Sequence, residues 1–191
     1  LLRDLSTKEV AKQIAIEYKI KKNVEKNLIY IGSQRNRMKK FELYYGKLSN
    51  HFNTVLYGKW KEQFVKTKFP RIAYKGHLEA GGVFKAYNKN LLSILIGDVA
   101  YEYNKQISGR FFEAIQSKSI CLVDYSLVDT ILQDIIPKEL LKEILLSPAE
   151  NYNKKIVGKI FKMGFEARRD LIKELNKALL KVDMFHSVSN F

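Results

Sequence analysis

Residues Leu28-Ile29-Tyr30-Ile31-Gly32-Ser33-Gln34-Arg35-Asn36-Arg37 decide the reading of this chain. The run from Leu28 to Ile31 has no polar face, so it describes a strand buried on both sides, and Gly32 ends it. From Met38 to Leu48 the pattern turns helical, with Phe41, Tyr45 and Leu48 on one face. Strand, tight turn and helix in succession make one unit of an α/β layer, and the turn between them lies where such sheets hold ligands. Phosphate binding at a helix start needs unpaired backbone N–H groups, a small residue that allows close approach, and cations to match the charge. Gly32 to Arg37 supplies all three. Both the GxxxxGK[ST] and GxGxxG spacings are absent, which argues against an NTPase or a nicotinamide enzyme. A plain turn with solvated arginines fits the same residues.

Outward from this unit the pattern repeats. Phe52 to Tyr57 reads as a second strand, Lys59 to Lys68 with Pro70 as a basic loop, and Ile72-Ala73-Tyr74 as a short third strand. Gly81-Gly82 precedes a helix through Asn88, and Leu91 to Ile96 is the strongest strand of the chain, closed by Gly97-Asp98. Ser108 can cap a helix through Ile115, and the strand Ile120 to Val123 ends at Asp124. Helical patterns dominate beyond. On the last helix Leu171, Leu175, Leu179 and Val182 form an apolar stripe, with Arg168, Arg169, Lys173, Lys177 and Lys181 on its other faces. Packing on a core explains that stripe, and a nucleic-acid contact would use the basic faces. Ahead of the first strand, Ser6-Thr7-Lys8-Glu9 offers a capping box followed by Val10, Ile14 and Tyr18 at helical spacing, and Ser187 to Phe191 reads as a loose tail. The expected fold class is α/β, a Rossmann-like, doubly wound, mainly parallel sheet with C-terminal helices. Residues 1–26 form a lead-in segment, 27–160 the Rossmann-like domain, and 161–191 the amphipathic helix and tail.

A length of 191 residues with 46% apolar content suits one domain with a flanking helical extension. Thirty-four Lys and Arg against twenty Asp and Glu leave a formal charge of +14, which favours a polyanion such as nucleic acid, or a phosphorylated ligand. Lone Cys121 lies inside an apolar run and reads as a small core residue. His51, His77 and His186 show no ligand spacing, and no Ser-His-Asp or Cys-His arrangement emerges. The apolar run Leu91 to Ile96 is too short to span a bilayer and no signal peptide opens the chain, so a soluble, cytoplasmic protein without a membrane partner is expected. Leu1 and the mid-chain character of Leu-Leu-Arg-Asp suggest a fragment.

Arg110 and Glu113 share one face at the start of a helix. Arg there can bridge a diphosphate with forked donors, and Glu can accept from both hydroxyls of a ribose. An ordinary intrahelical ion pair has the same spacing. Asp98 faces the same crevice, where it could accept from a sugar hydroxyl or cap a helix.

Taken together, Tyr30-Ile31-Gly32-Ser33-Gln34-Arg35, Tyr57-Gly58, Lys75-Gly76-His77-Leu78, Leu95-Ile96-Gly97-Asp98-Val99-Ala100-Tyr101 and Arg110-Phe111-Phe112-Glu113-Ala114-Ile115 resemble, in order and approximate spacing, the C-terminal half of the T-even bacteriophage DNA beta-glucosyltransferases. The resemblance runs from about Asn27 to Leu145. It implies the two-domain GT-B arrangement and transfer of glucose from UDP-glucose to 5-hydroxymethylcytosine in duplex DNA, with inversion at the anomeric carbon. It further implies that Ser33, Arg35 and Arg110 contact the diphosphate, that Glu113 holds the ribose hydroxyls, that the Leu78 backbone reads uracil, and that Asp98 lies near the sugar with Tyr101 beside it. A second phosphate-binding arginine of the family falls on Lys39 without gaps, and Arg37 takes its place after a small shift. The loop between Gly58 and Gly76 is shorter than the family's, and the one from Asp98 to Arg110 is longer. The family's catalytic base belongs to an N-terminal domain that has no equivalent here, so no catalytic residue is assigned and residues 1–26 become its remnant or linker. The expected partners are a UDP-sugar, duplex DNA and that missing domain. A divalent metal near the diphosphate is compatible with this reading, with no metal site made by the protein. If the chain is phage-encoded, the compartment is the host cytoplasm. Two other readings fit the residues: the same donor site serving a glycan, lipid-linked or protein acceptor, and a non-enzymatic basic DNA-binding module.

Overall fold

The structure is a computed structural model that describes residues 20–180. The helix expected after Ser6, Lys181 and Val182 of the last stripe, His186 and the Ser187 to Phe191 tail lie outside the described residues. Six strands form one parallel sheet: β1 (Glu25–Ile31), β2 (Thr54–Tyr57), β3 (Ile72–Tyr74), β4 (Asn90–Leu95), β5 (Ile120–Asp124) and β6 (Leu145–Leu146), in the order β3-β2-β1-β4-β5-β6. β4 and β5 are buried along their whole length, and β1 is buried over its last four residues. Leu28 and Ile29 of β1 are sealed against Leu92 and Ser93 of β4. The chain winds outward from β1 through β2 to β3, then returns to β4 beside β1 and winds the other way. Strand order therefore reverses between β1 and β4, and a crevice opens beyond their carboxyl ends.

Helices cover both faces. They are α1 (Met38–Phe41), α2 (Glu62–Lys68), α3 (Ala80–Lys89), α4 (Val99–Tyr103), α5 (Gly109–Gln116), α6 (Leu132–Ile135), α7 (Lys138–Lys142), α8 (Glu150–Lys162) and α9 (Phe165–Leu180). α3, α5 and α9 pack together on one side, and α8 packs against the segment that follows α1 on the other. Phe41, Tyr45 and Phe111 are fully buried, each contributing about 2 to 3 kcal/mol of transfer free energy. Among the described residues no helix is long and apolar enough to cross a membrane.

The structure corrects four expectations. The helix expected from Met38 to Leu48 is α1 followed by a π-turn at Glu42–Gly46 and a 3-10 turn at Leu48–Asn50. The widened turn lets Phe41, Tyr44, Tyr45 and Leu48 all face inward, and Gly46 admits the Phe69 ring. The basic stretch Lys59 to Lys68 is not a loop: Trp60, Val65 and Phe69 are buried, and this spacing folds α2 onto the sheet. Gly81 and Gly82 lie inside the first turn of α3 rather than before it. Arg168 is buried, not solvated. It donates to the carbonyls of Lys21 and Lys22 and stacks over Phe165, tying α9 to the segment ahead of β1. Leu171, Leu175 and Leu179 face inward as the stripe requires, with Ile172 beside them. Cys121 is a core residue whose thiol burial pushes up to about 12, which removes thiolate chemistry near neutrality.

Candidate functional site at the carboxyl edge

Each of the first three strands ends in a glycine turn, and the turns are bonded to one another. Gly32 N donates to Tyr57 O at 3.0 Å, and Gly58 N donates to Gly76 O at 2.8 Å. Trp60 Nε1 donates to Gly32 O at 2.7 Å, while the Tyr74 hydroxyl donates to Gly58 O at 2.9 Å. Gly58 has φ +130° and lies against the Gly32 carbonyl, where a side-chain methyl would collide, so only glycine lets these two turns meet. The turn carrying Ser33 is thereby held from below by an indole and a phenol.

Asp124, at the end of β5, organises the other half. Its buried carboxylate accepts from Gly97 N at 2.6 Å, from Ser126 N at 2.9 Å and from the Ser126 hydroxyl. Burial raises this carboxyl above the usual aspartate value, and Ser126, the charge of Lys40 and the Gly97 amide offset part of the rise. Lys40 reaches across the crevice from α1 to pair with Glu102 on α4 and to donate to Ser126 Oγ at 2.7 Å. Gly97 has no room for a side chain, because Leu127 fills the space where one would be.

Between these halves, at the point where strand order reverses, Arg37 meets Asp98. Arg37 Nη2 donates to Asp98 Oδ2 at 2.8 Å, with the two side chains only 13% and 19% exposed, and the guanidinium carbon stands 5.8 Å from the Tyr101 ring centre. Asp98 Oδ1 caps α4, accepting from Ala100 N at 3.0 Å and Tyr101 N at 3.4 Å. Partial burial alone would raise the Asp98 carboxyl, but Arg37 and the two backbone donors together hold it below the ordinary aspartate value. Beneath the pair, burial raises the Tyr30 phenol, and the Arg37 charge offsets part of that rise.

Arg110 and Glu113 stand at the start of α5, the helix Ser108 caps by accepting from Arg110 N at 3.3 Å. They form an intrahelical ion pair with side chains 39% and 30% exposed. Burial raises the nearby Tyr87 phenol well above its ordinary value, and the opposite charges of Arg110 and Glu113 act on it in opposite senses. Ser33 is half-buried on its turn and Lys39 is exposed. Leu78 is half-buried in the loop before α3, against Gly82. Arg35 opens a one-turn 3-10 helix, and its side chain lies outside the described residues.

Of the residues singled out in the sequence, the structure joins Arg37, Asp98 and Tyr101 directly, and it places Arg110 and Glu113 together on the same edge. Asp124, Lys40, Glu102 and Trp60 belong to the framework and were not foreseen. Asp124 repeats the pattern of Asp98, a carboxylate at or just after the end of a mainly apolar, fully buried strand, and that pattern is the signal the sequence offers for it.

This architecture is that of the C-terminal half of GT-B glycosyltransferases. Among solved structures, the chain is similar to a DNA-modifying beta-glucosyltransferase whose substrate is uridine diphosphoglucose (TM-score 0.65, 20% identity, 88% of this chain and 51% of that one). It is similar too to the T4 phage beta-glucosyltransferase in complex with UDP and Mn2+ (TM-score 0.61, 22% identity, 90% and 50%). A third match is the catalytic domain of the Helicobacter pylori cholesterol-alpha-glucosyltransferase (TM-score 0.54, 13% identity, 81% and 95%). The chain spans about half the length of the beta-glucosyltransferases it matches. No protein-family model matches it, and no curated protein matches it by sequence.

Proposed function

We propose that this chain is the donor-binding part of an inverting glycosyltransferase that moves glucose from UDP-glucose to 5-hydroxymethylcytosine in duplex DNA. The observation that carries the proposal is the meeting of Arg37, Asp98 and Tyr101 at the reversal of strand order, with Ser33 and Arg110 on the same edge. In this reading the Ser33 turn, Arg35, Arg37 and Arg110 hold the diphosphate, with Lys39 at the rim. Glu113 accepts from the ribose hydroxyls, the Leu78 backbone reads uracil, and Asp98 and Tyr101 flank the sugar. The acceptor hydroxyl, deprotonated by a base outside this chain, attacks the anomeric carbon as UDP leaves, and the arginines stabilise the growing charge on the diphosphate.

The side chains do not fit a metal held by the protein. Among the described residues no three His, Cys, Asp or Glu groups converge, and Asp98 and Glu113 are each engaged by an arginine. No step is assigned to a metal.

Calorimetry on the chain should show UDP binding that Arg110→Ala or Glu113→Ala weakens by roughly 1 to 3 kcal/mol, the range for lost charge-assisted hydrogen bonds. A folded sample that binds no UDP would overturn the donor site. The DNA acceptor is tested separately, by incubating the complete enzyme with UDP-glucose and hydroxymethylated or unmodified duplex. A second reading, the same donor site with another acceptor, draws support from one observation. A cholesterol glucosyltransferase domain shares the fold over 81% of this chain, so the fold alone selects no acceptor. Lack of transfer to the modified duplex would favour it.

A further inference from the structure

Resting on the donor-binding reading above, we infer that the Arg37–Asp98 pair is an exchangeable latch, which makes the site prefer a nucleotide that carries a sugar over the same nucleotide without one. The two oxygens of Asp98 do separate jobs. Oδ1 is fixed by the amides that open α4, and Oδ2 takes the single bond from Arg37. A guanidinium has five donors arranged as a fork, and it suits a phosphate as well as a carboxylate. A diphosphate on the Gly32 to Arg37 turn would therefore compete with Asp98 for Arg37.

The exchange leaves a charge behind. Once Arg37 turns to the diphosphate, Oδ1 keeps the carboxylate in place through the helix cap, while Oδ2 stands in a site where its side chain is 19% exposed and lacks a donor. A buried carboxylate oxygen that loses its partner is unfavourable unless another donor replaces it. A sugar on the diphosphate brings hydroxyl donors to that place and a bare nucleotide brings none. Asp98 thus charges the nucleotide for opening the pair and returns the difference when a sugar is attached. The same coupling weakens the hold on the nucleotide product. Glu102, on the next turn of α4, lacks this behaviour because Lys40 and Ser126 both hold it away from Arg37.

The test compares the 191-residue chain with Asp98→Asn, Asp98→Ser and Glu102→Gln by calorimetry against UDP and UDP-glucose. Asn and Ser both preserve an oxygen that caps α4 while removing the charge. The unchanged chain should bind UDP-glucose about tenfold more tightly than UDP, the scale of one charge-assisted hydrogen bond. Both Asp98 variants should bind UDP more tightly than the unchanged chain does and bring the ratio of the two affinities close to one. Glu102→Gln removes an equal charge nearby and should shift both ligands alike, leaving the ratio intact. An unaltered ratio in the Asp98 variants, or the same loss of ratio in Glu102→Gln, would overturn the latch while donor binding stands. Binding of neither ligand by the unchanged chain would remove the donor-binding reading, and the latch with it.

Discussion

Arg37 and Arg110 are both paired with a carboxylate, but the pairs belong to different levels of the structure. Arg37 and Asp98 come from turns after two different strands, are mostly buried, and sit on a framework in which every turn is bonded to its neighbour. Arg110 and Glu113 come from one helical turn and are more than twice as exposed on the arginine side. A pair that joins distant elements holds the fold together as well as the ligand. One within a single turn can change partners at almost no cost to the fold. The carboxyl edge thus has a centre whose pair costs free energy to open, set on rigid glycine turns, and a flank that adapts freely, and substitutions in the two places should separate stability from binding.

The largest effect is expected beneath the centre. Gly58→Ala would force a methyl into the Gly32 carbonyl at a φ that L-residues rarely adopt, so the turn carrying Ser33 must move or the protein must unfold. A loss of about 3 kcal/mol or more in urea unfolding is expected. A loss below about 1 kcal/mol would show that the glycine turns are not a rigid base.

Asp98→Asn should come next, at about 1 to 2 kcal/mol near neutrality, because Asn keeps the cap but leaves Arg37 without its counter-charge. The pH dependence has a fixed sign. Asp98 titrates below its ordinary value of 3.8 in the folded protein, so its stabilisation is fully present above that value and is lost as pH falls through the lower folded one. The difference between the original chain and the variant should therefore shrink in urea titrations at about pH 3. A difference that stays constant to that pH would mean the ion pair contributes nothing.

How much of this was legible in the sequence follows the same division. The strands β1, β4 and β5 could be read because a run with no polar face has only one place to go in an α/β protein, the inside of the sheet. Arg110 and Glu113 could be read because their relation is local, three residues apart on one helix. The Arg37–Asp98 bond spans 61 residues, and nothing in the spacing of either motif states that they touch. Strand order decides it. Lys40, Glu102, Ser126 and Asp124 were hidden for the same reason, since their network exists only once β1, β4 and β5 lie side by side. α2 is hidden because five charged or polar residues among the seven from Lys61 to Thr67 mask the spacing of Trp60, Val65 and Phe69 that folds it inward; β6 is hidden because two residues carry no period.

The smallest stability effect should fall on the flank. Glu113→Gln keeps the side-chain length and one acceptor for Arg110, and removes only the charge from a half-buried pair within one helical turn. Pairs within one helix contribute a few tenths of a kcal/mol, so unfolding in urea should change by less than about 0.5 kcal/mol. If the flank is nonetheless where the ribose is held, the same substitution should lower UDP affinity while leaving the urea midpoint in place. A loss of stability approaching that of Asp98→Asn would mean that α5 is anchored through this pair and that the flank is no more adaptable than the centre. Unchanged stability with unchanged UDP affinity would confine the pair to the helix surface and leave Arg37, Asp98 and the Ser33 turn as the whole of the donor site.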